Sequence, residues 1–134
     1  MEDILKYLND YLIIKNFFAV LKGLDNTILL LIISLPIGFI ISLLFALGRV
    51  SKITLISKSV ASYIFVVRGT PLLVQIYLIY FGLGSIEYVR ESFFWILLKE
   101  PFWCGVLALT INTVAYGAEI FRGGIQSVTK GQIE

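Results

Sequence analysis

The sequence predicts an all-α, polytopic membrane protein with three transmembrane helices, preceded by an amphipathic helix lying in the membrane interface. Three observations carry this expectation. The 134 residues are 58% hydrophobic and 15% charged, with a mean hydropathy of +0.91, which is more apolar surface than a single core of this size can hide. Three stretches, Asn26–Gly48, Gly69–Ile86 and Pro101–Ala118, contain no Asp, Glu, Lys or Arg. A helix rises about 1.5 Å per residue, so Ile28–Leu47 reaches roughly 30 Å, the thickness of the hydrocarbon layer. The other two runs are shorter and need flanking residues to complete a crossing.

In chain order, residues 1–24 come first. Acids follow Met1 at once and no apolar core precedes a small-residue cleavage site, so the segment does not read as a signal peptide. Ile4, Leu5, Leu8 and Leu12 fall at helical spacing, with Glu2, Lys6, Asn9 and Asp10 on other faces, the pattern of an interfacial helix. Residues 25–134 then form the transmembrane part, with spans at about 26–48, 69–86 and 101–122 and a polar end at 123–134.

Span one follows Asp25, Asn26 and Thr27, any of which can cap exposed helix amides. Pro36 removes one backbone hydrogen bond near its middle and predicts a kink. Gly38, Ser42 and Ala46 repeat every four residues and offer a small-residue face to another helix. Span two admits two readings. A helix running from about Ser59 would bury Arg68, which is costly without a partner. Alternatively, Thr70 caps a helix that begins with Pro71, and Arg68 stays at the membrane boundary. The second is preferred, with the preceding segment a helix along or into the interface. Span three opens at Pro101 behind Glu100, a good helix start, and meets a predicted stop at Gly123-Gly124.

Between Arg49 and Arg68 lie four bases and no acid, whereas Glu87–Glu100 carries two bases and three acids. The positive-inside bias therefore favours a cytoplasmic 49–68 loop, which places the N-terminus outside and the C-terminal end in the cytoplasm.

Composition also excludes classes. The net charge of +2, without a basic cluster interleaved with aromatics, argues against a nucleic-acid partner. There is no histidine, so Ser/His catalysis and imidazole metal sites are out of reach. Cys104 is the single cysteine and sits in an apolar run, where it reads as a small buried hydrophobe. No Gly-rich phosphate loop followed by Lys-Ser/Thr occurs, and no catalytic residue, metal ligand or cofactor is expected in this chain.

Two blocks are distinctive together: YIFVVRGTPLLVQIYLIYFGL (63–83) and LTINTVAYGAEIFRGGIQSVTKGQIE (109–134). From about Gly23 to its last residue the chain resembles the permease subunit of bacterial ATP-binding-cassette importers for polar amino acids. The resemblance covers the first three helices of such a permease and the opening of its coupling loop, so a truncated permease is expected. It implies that Gly131, Gln132 and Glu134 match the Gly-Gln-x-Glu that opens the loop docking onto the ATPase. Thr129 stands where that family often has Pro, and Thr129 to Gln132 also has the form of a capping box. The resemblance further implies a cytoplasmic ATPase that binds ATP and Mg, a second permease subunit in a homo- or heterodimer, an extracytoplasmic solute-binding protein, and a bacterial inner membrane around the chain. Two other readings stay open: a non-transporting membrane protein that binds the ATPase, and a structural subunit of an unrelated membrane complex.

Two groups of site candidates remain. Glu119 and Arg122 are three apart, which makes a local pair, while Arg68 opening span two and Glu119 closing span three predicts an Arg68–Glu119 bridge at the cytoplasmic mouth. Gln75, Thr110, Asn112 and Tyr116 are the polar groups within the spans, and Asn112, Tyr116 and Glu119 share one helix face. Each is a candidate for the substrate path, with interhelical hydrogen bonding as the competing role.

Overall fold

The computed structural model describes the backbone of residues 2–128, and the side chains of Tyr7 and of residues 11–128. Gly131, Gln132, Glu134 and Thr129, and the apolar positions Ile4, Leu5 and Leu8 as side chains, lie outside the described residues. Six α-helices and one π-helical turn follow in order, with no strand among the described residues. They are α1 (Glu2–Val50), α2 (Thr54–Gly69), α3 (Leu72–Tyr77) continued by the π-turn Leu78–Gly82, α4 (Glu87–Arg90), α5 (Trp95–Leu98) and α6 (Pro101–Ser127).

The chain divides into two units, Met1–Ile32 and Ile33–Glu134. In the first, the helix start expected at Asp25–Thr27 does not occur, because α1 is already helical there. The Thr27 hydroxyl donates to the Gly23 carbonyl at 3.1 Å. A threonine bonded back one turn is a helix-interior residue, not a cap. Tyr7, Leu12, Phe17 and Phe18 are exposed, and the last two meet edge to face at 5.9 Å.

The second unit is organised around α6, against which α2, α3, the π-turn and α5 all pack. The buried positions are mostly small: Ser34, Ser42, Ala46, Cys104, Ala108, Ala115 and Ala118. The four-residue stripe on α1 is the contact face. A β-carbon on Gly38 would stand 2.7 Å from Thr113 Cβ, and one on Gly117 would stand 2.7 Å from Ser42 Oγ. Backbones approach this closely only because those two residues lack side chains. A step of four residues on α1, from 38 to 42, matches a step of four on α6, from 113 to 117, in the same direction. These helices therefore run parallel, and the chain between them must travel back along their length.

The return path does not follow the expected 69–86 helix. α2 ends at Gly69, a new helix runs Leu72–Gly82, and the two are bent by 104°. Thr70 is the C-terminal cap residue of α2 and not the N-cap of the next helix. Its hydroxyl points backwards, donating to the Val66 and Val67 carbonyls at 3.0 and 3.3 Å, and its oxygen accepts from the Gln75 side chain and not from a backbone amide of the next helix. Pro71, which has no N–H and disfavours a helical residue before it, keeps the helices apart. By length and composition Tyr11–Val50 and Pro101–Ser127 can each cross a membrane, and the bent pair makes a third candidate if counted as one broken span.

A final correction concerns Gly123-Gly124. The helix passes through both glycines to Ser127, and no glycine among the described residues has a positive φ. A glycine stops a helix by entering the left-handed region, and here two side chains hold the last turn instead. Arg122 Nη1 donates to Gln126 Oε1 at 2.8 Å, and Ser127 Oγ donates to the Gly124 carbonyl at 2.8 Å.

Candidate functional site

The ends of α1 and α2 and the last third of α6 bring charged groups together. Arg49 and Arg68 each lie in the last turn of their helix, where a cation is favoured by the exposed carbonyls. Gly48 lets α2 come close, since a β-carbon there would lie 3.2 Å from Val60 Cγ2. Arg49 is fixed from both sides by Ser57, whose hydroxyl donates to the Arg49 carbonyl at 2.9 Å and accepts from Arg49 Nη1 at 3.3 Å.

Glu119 is the carboxylate at the centre. Arg122 Nε and Nη2 both donate to its Oε2, at 3.0 and 2.7 Å, and Arg49 Nε lies 3.7 Å from its Oε1. That last distance is an ion pair without a hydrogen bond, and Arg49 Nε is buried with no hydrogen-bond acceptor. The predicted Arg68–Glu119 bridge does not form. Arg68 Cζ instead lies 5.1 Å from the centroid of the Tyr116 ring. Tyr116 stands one turn before Glu119 on α6 and presents a π-face that satisfies the cation, while Arg49 and Arg122 take the carboxylate. An open cleft of about 530 Å³ lies here, lined by Arg49, Arg68, Gly69, Tyr116 and Glu119 and walled by Ala61, Ile64 and Phe65.

The polar candidates within the spans divide. Gln75 is buried, and its amide Nε2 donates to the Val67 carbonyl at 2.7 Å and to the carbonyl and hydroxyl oxygens of Thr70, both at 3.0 Å. It closes the C-terminal end of α2, whose last carbonyls have no intrahelical partner. Its Oε1 accepts from Asn112 Nδ2 at 3.4 Å, which links the bend to α6. Thr110 donates back to the Val106 carbonyl at 2.7 Å and borders an apolar cleft of about 410 Å³ with Ile37, Ile41, Phe94 and Trp103. Asn112 and Tyr116 share a third cleft of about 300 Å³ with Phe39, Thr113, Gly117 and Phe121. The four candidates thus do not converge on one cavity.

Arg49, Ser57, Gln126 and Tyr63 belong to this framework and were not singled out by the sequence. Tyr63 donates to the Ile111 carbonyl at 2.7 Å, tying α2 to α6. The only signal for Arg49 was its membership of the basic 49–68 run, because its partner is set by packing. Cys104 is buried, and its thiol donates to the Leu98 carbonyl oxygen at 3.1 Å. Among the described residues no group of His, Cys, Asp and Glu has the geometry of a metal site.

Comparison with known proteins supplies the context for this arrangement. No family model matches the chain. The chain is 46% identical over 120 residues to the octopine transport system permease protein of Rhizobium radiobacter, which covers 90% of this chain and 49% of the relative. It is 47% identical over 124 residues to the nopaline transport system permease protein of Agrobacterium fabrum, covering 92% and 52% respectively. With the histidine/lysine/arginine/ornithine permease protein of Escherichia coli it shares 42% identity over 113 residues, covering 84% and 48%. The chain thus spans about half the length of the curated relatives it matches. Among solved structures, a crystal structure of an amino acid ABC transporter with histidines superposes with a TM-score of 0.73 at 41% identity, covering 90% of this chain and 52% of that one.

Proposed function

This chain is a homologue of the permease subunits of amino-acid ABC transporters, and from that premise we propose that it forms part of the transmembrane pathway of an importer. The similarity over nine-tenths of the chain carries the reading. Such permeases are not enzymes, and ATP with Mg belongs to a cytoplasmic ATPase partner, to which this chain couples. A second permease subunit completes the pathway, and an extracytoplasmic solute-binding protein delivers the solute. The relatives are named for octopine, nopaline, arginine and histidine/lysine/arginine/ornithine. The solute proposed here is accordingly an amino acid or derivative of the basic class.

The chain crosses the bacterial inner membrane three times in this reading. Parallel packing of α1 and α6 supports it, because a return leg through α2 and Leu72–Gly82 is then required. The N-terminus lies outside, and the end of α6 faces the cytoplasm with Gly131, Gln132 and Glu134 opening the coupling loop. The Arg49–Glu119–Arg122 cluster at the end of α6 then stands at the cytoplasmic mouth, next to the loop that meets the ATPase. Asn112 and Tyr116, which share a cleft, are the candidates for the substrate path; Gln75 acts through the bend it closes.

The test is reconstitution of the intact chain with its cognate ATPase and solute-binding protein in proteoliposomes, with uptake of labelled basic amino acids. ATP-dependent accumulation that disappears when this chain is omitted is the expected result. ATPase association without accumulation would refute the pathway reading and leave an ATPase-binding membrane protein. Absence of both would point to a structural subunit of another complex.

A further inference from the structure

We propose that the cleft between the end of α2 and α6 is a binding site for the phosphate headgroup of an anionic membrane lipid, with Arg68 as its principal donor and Arg49 as its second charge. The charge balance of the cluster comes first. Three guanidinium groups, those of Arg49, Arg68 and Arg122, surround a single carboxylate, that of Glu119, which leaves two positive charges uncompensated. Arg122 directs three of its N–H donors to Glu119 and Gln126. Arg68 makes no hydrogen bond with any described residue and lies beyond ion-pair distance of Glu119, whose charge still attracts it, while its Cζ stands 5.1 Å from the Tyr116 ring centroid. The ring contact supplies no lone-pair acceptor, so the guanidinium N–H donors are left for an acceptor arriving in the cleft.

The walls decide between a lipid and a soluble anion. The cleft of about 530 Å³ is open, and Ala61, Ile64 and Phe65 continue from the arginines as an apolar wall. Phe65 is 80% exposed and its neighbour Val66 is 59% exposed, so hydrocarbon surface begins where the charged floor ends. A free phosphate would leave that wall uncovered, whereas a phospholipid covers it with an acyl chain. Lys52 and Lys58 lie in the same acid-free stretch as Arg49 and Arg68, the sequence pattern that draws anionic headgroups to a membrane surface. This proposal needs the chain only to be embedded in lipid and does not depend on which solute is carried.

Native mass spectrometry of the intact chain ejected from micelles, titrated with phosphatidylglycerol, with phosphatidylcholine and with inorganic phosphate, tests it. Phosphatidylglycerol should be retained preferentially over phosphatidylcholine. Arg68→Gln should weaken that retention about fivefold, the equivalent of roughly 1 kcal/mol for one interfacial arginine. Glu119→Gln should strengthen it, because the competing carboxylate is gone, and Lys99→Gln, at the opposite end of α6, should change nothing. Equal retention of the two lipids, or insensitivity to Arg68→Gln, would overturn the proposal. So would retention of inorganic phosphate that displaces phosphatidylglycerol at equal concentration, which would assign the cleft to soluble anions.

Discussion

Replacing Gly117 by alanine tests whether close approach of α1 and α6 holds the second unit together. The added β-carbon would stand 2.7 Å from Ser42 Oγ and 2.8 Å from Ser42 Cβ. Carbon atoms in contact prefer about 3.5–4.0 Å, so the shortfall is roughly 1 Å. Ser42 is fully buried and its Cβ is fixed by its own backbone, so the helices, and not a rotamer, must give way. Overpacking of this kind costs about 1–3 kcal/mol.

A glycine-to-alanine change also gains about 1 kcal/mol of helix propensity, which would mask part of the cost. Gly123→Ala in the same helix provides the correction, because a β-carbon there meets nothing within 4 Å. The difference between the two variants should therefore be about 1–3 kcal/mol, with Gly117→Ala the less stable. Unfolding in mixed micelles of increasing SDS fraction, followed by circular dichroism, measures it. Adding Ser42→Gly, which deletes both clashing atoms, should recover most of the loss. If Gly117→Ala and Gly123→Ala proved equally stable, the tight α1–α6 contact would be wrong.

Three further outcomes are expected in the same assay. Gln75→Leu strips the C-terminal carbonyls of α2 of their donor and should cost about 1–3 kcal/mol, the range for leaving buried polar groups unsatisfied. Tyr63→Phe removes a single hydrogen bond to a carbonyl already within a helix and should cost only about 0.5–1.5 kcal/mol. Glu119→Ala, which abandons Arg49 and Arg122 together, should destabilise more than Arg68→Ala; the reverse order would show that Arg68 is the main partner after all.

The long apolar helices α1 and α6 were legible because runs of about twenty apolar residues have few other fates, and the small stripe was legible because Gly38, Ser42 and Ala46 repeat at the helical spacing, whereas the broken path through Gly69–Pro71 was not. The start of α6 at Pro101 was legible too, but other element ends were not. Asp25–Thr27, Thr70 and Gly123-Gly124 carry the chemistry of caps and stops, yet each signal acts only if the chain leaves the helix there. A threonine hydroxyl serves equally well bonded one turn back, as Thr27 and Thr70 both are. Of the charged site, the Glu119–Arg122 pair follows from sequence because it is local. The choice of Arg49 over Arg68 as the second partner depends on where three helices meet, which no local pattern encodes.

The interlocked glycines have a mechanical corollary. Sliding α1 along α6 by four residues, about 6 Å, would carry the side chain of Ser34 or Ser42 into the space that only Gly38 fits. The two helices therefore form a strut that transmits a push from one end to the other without slipping. Any stroke within this half of the molecule has to be taken up elsewhere, and the joint at Thr70–Pro71, pinned by one glutamine side chain, is the compliant place to put it.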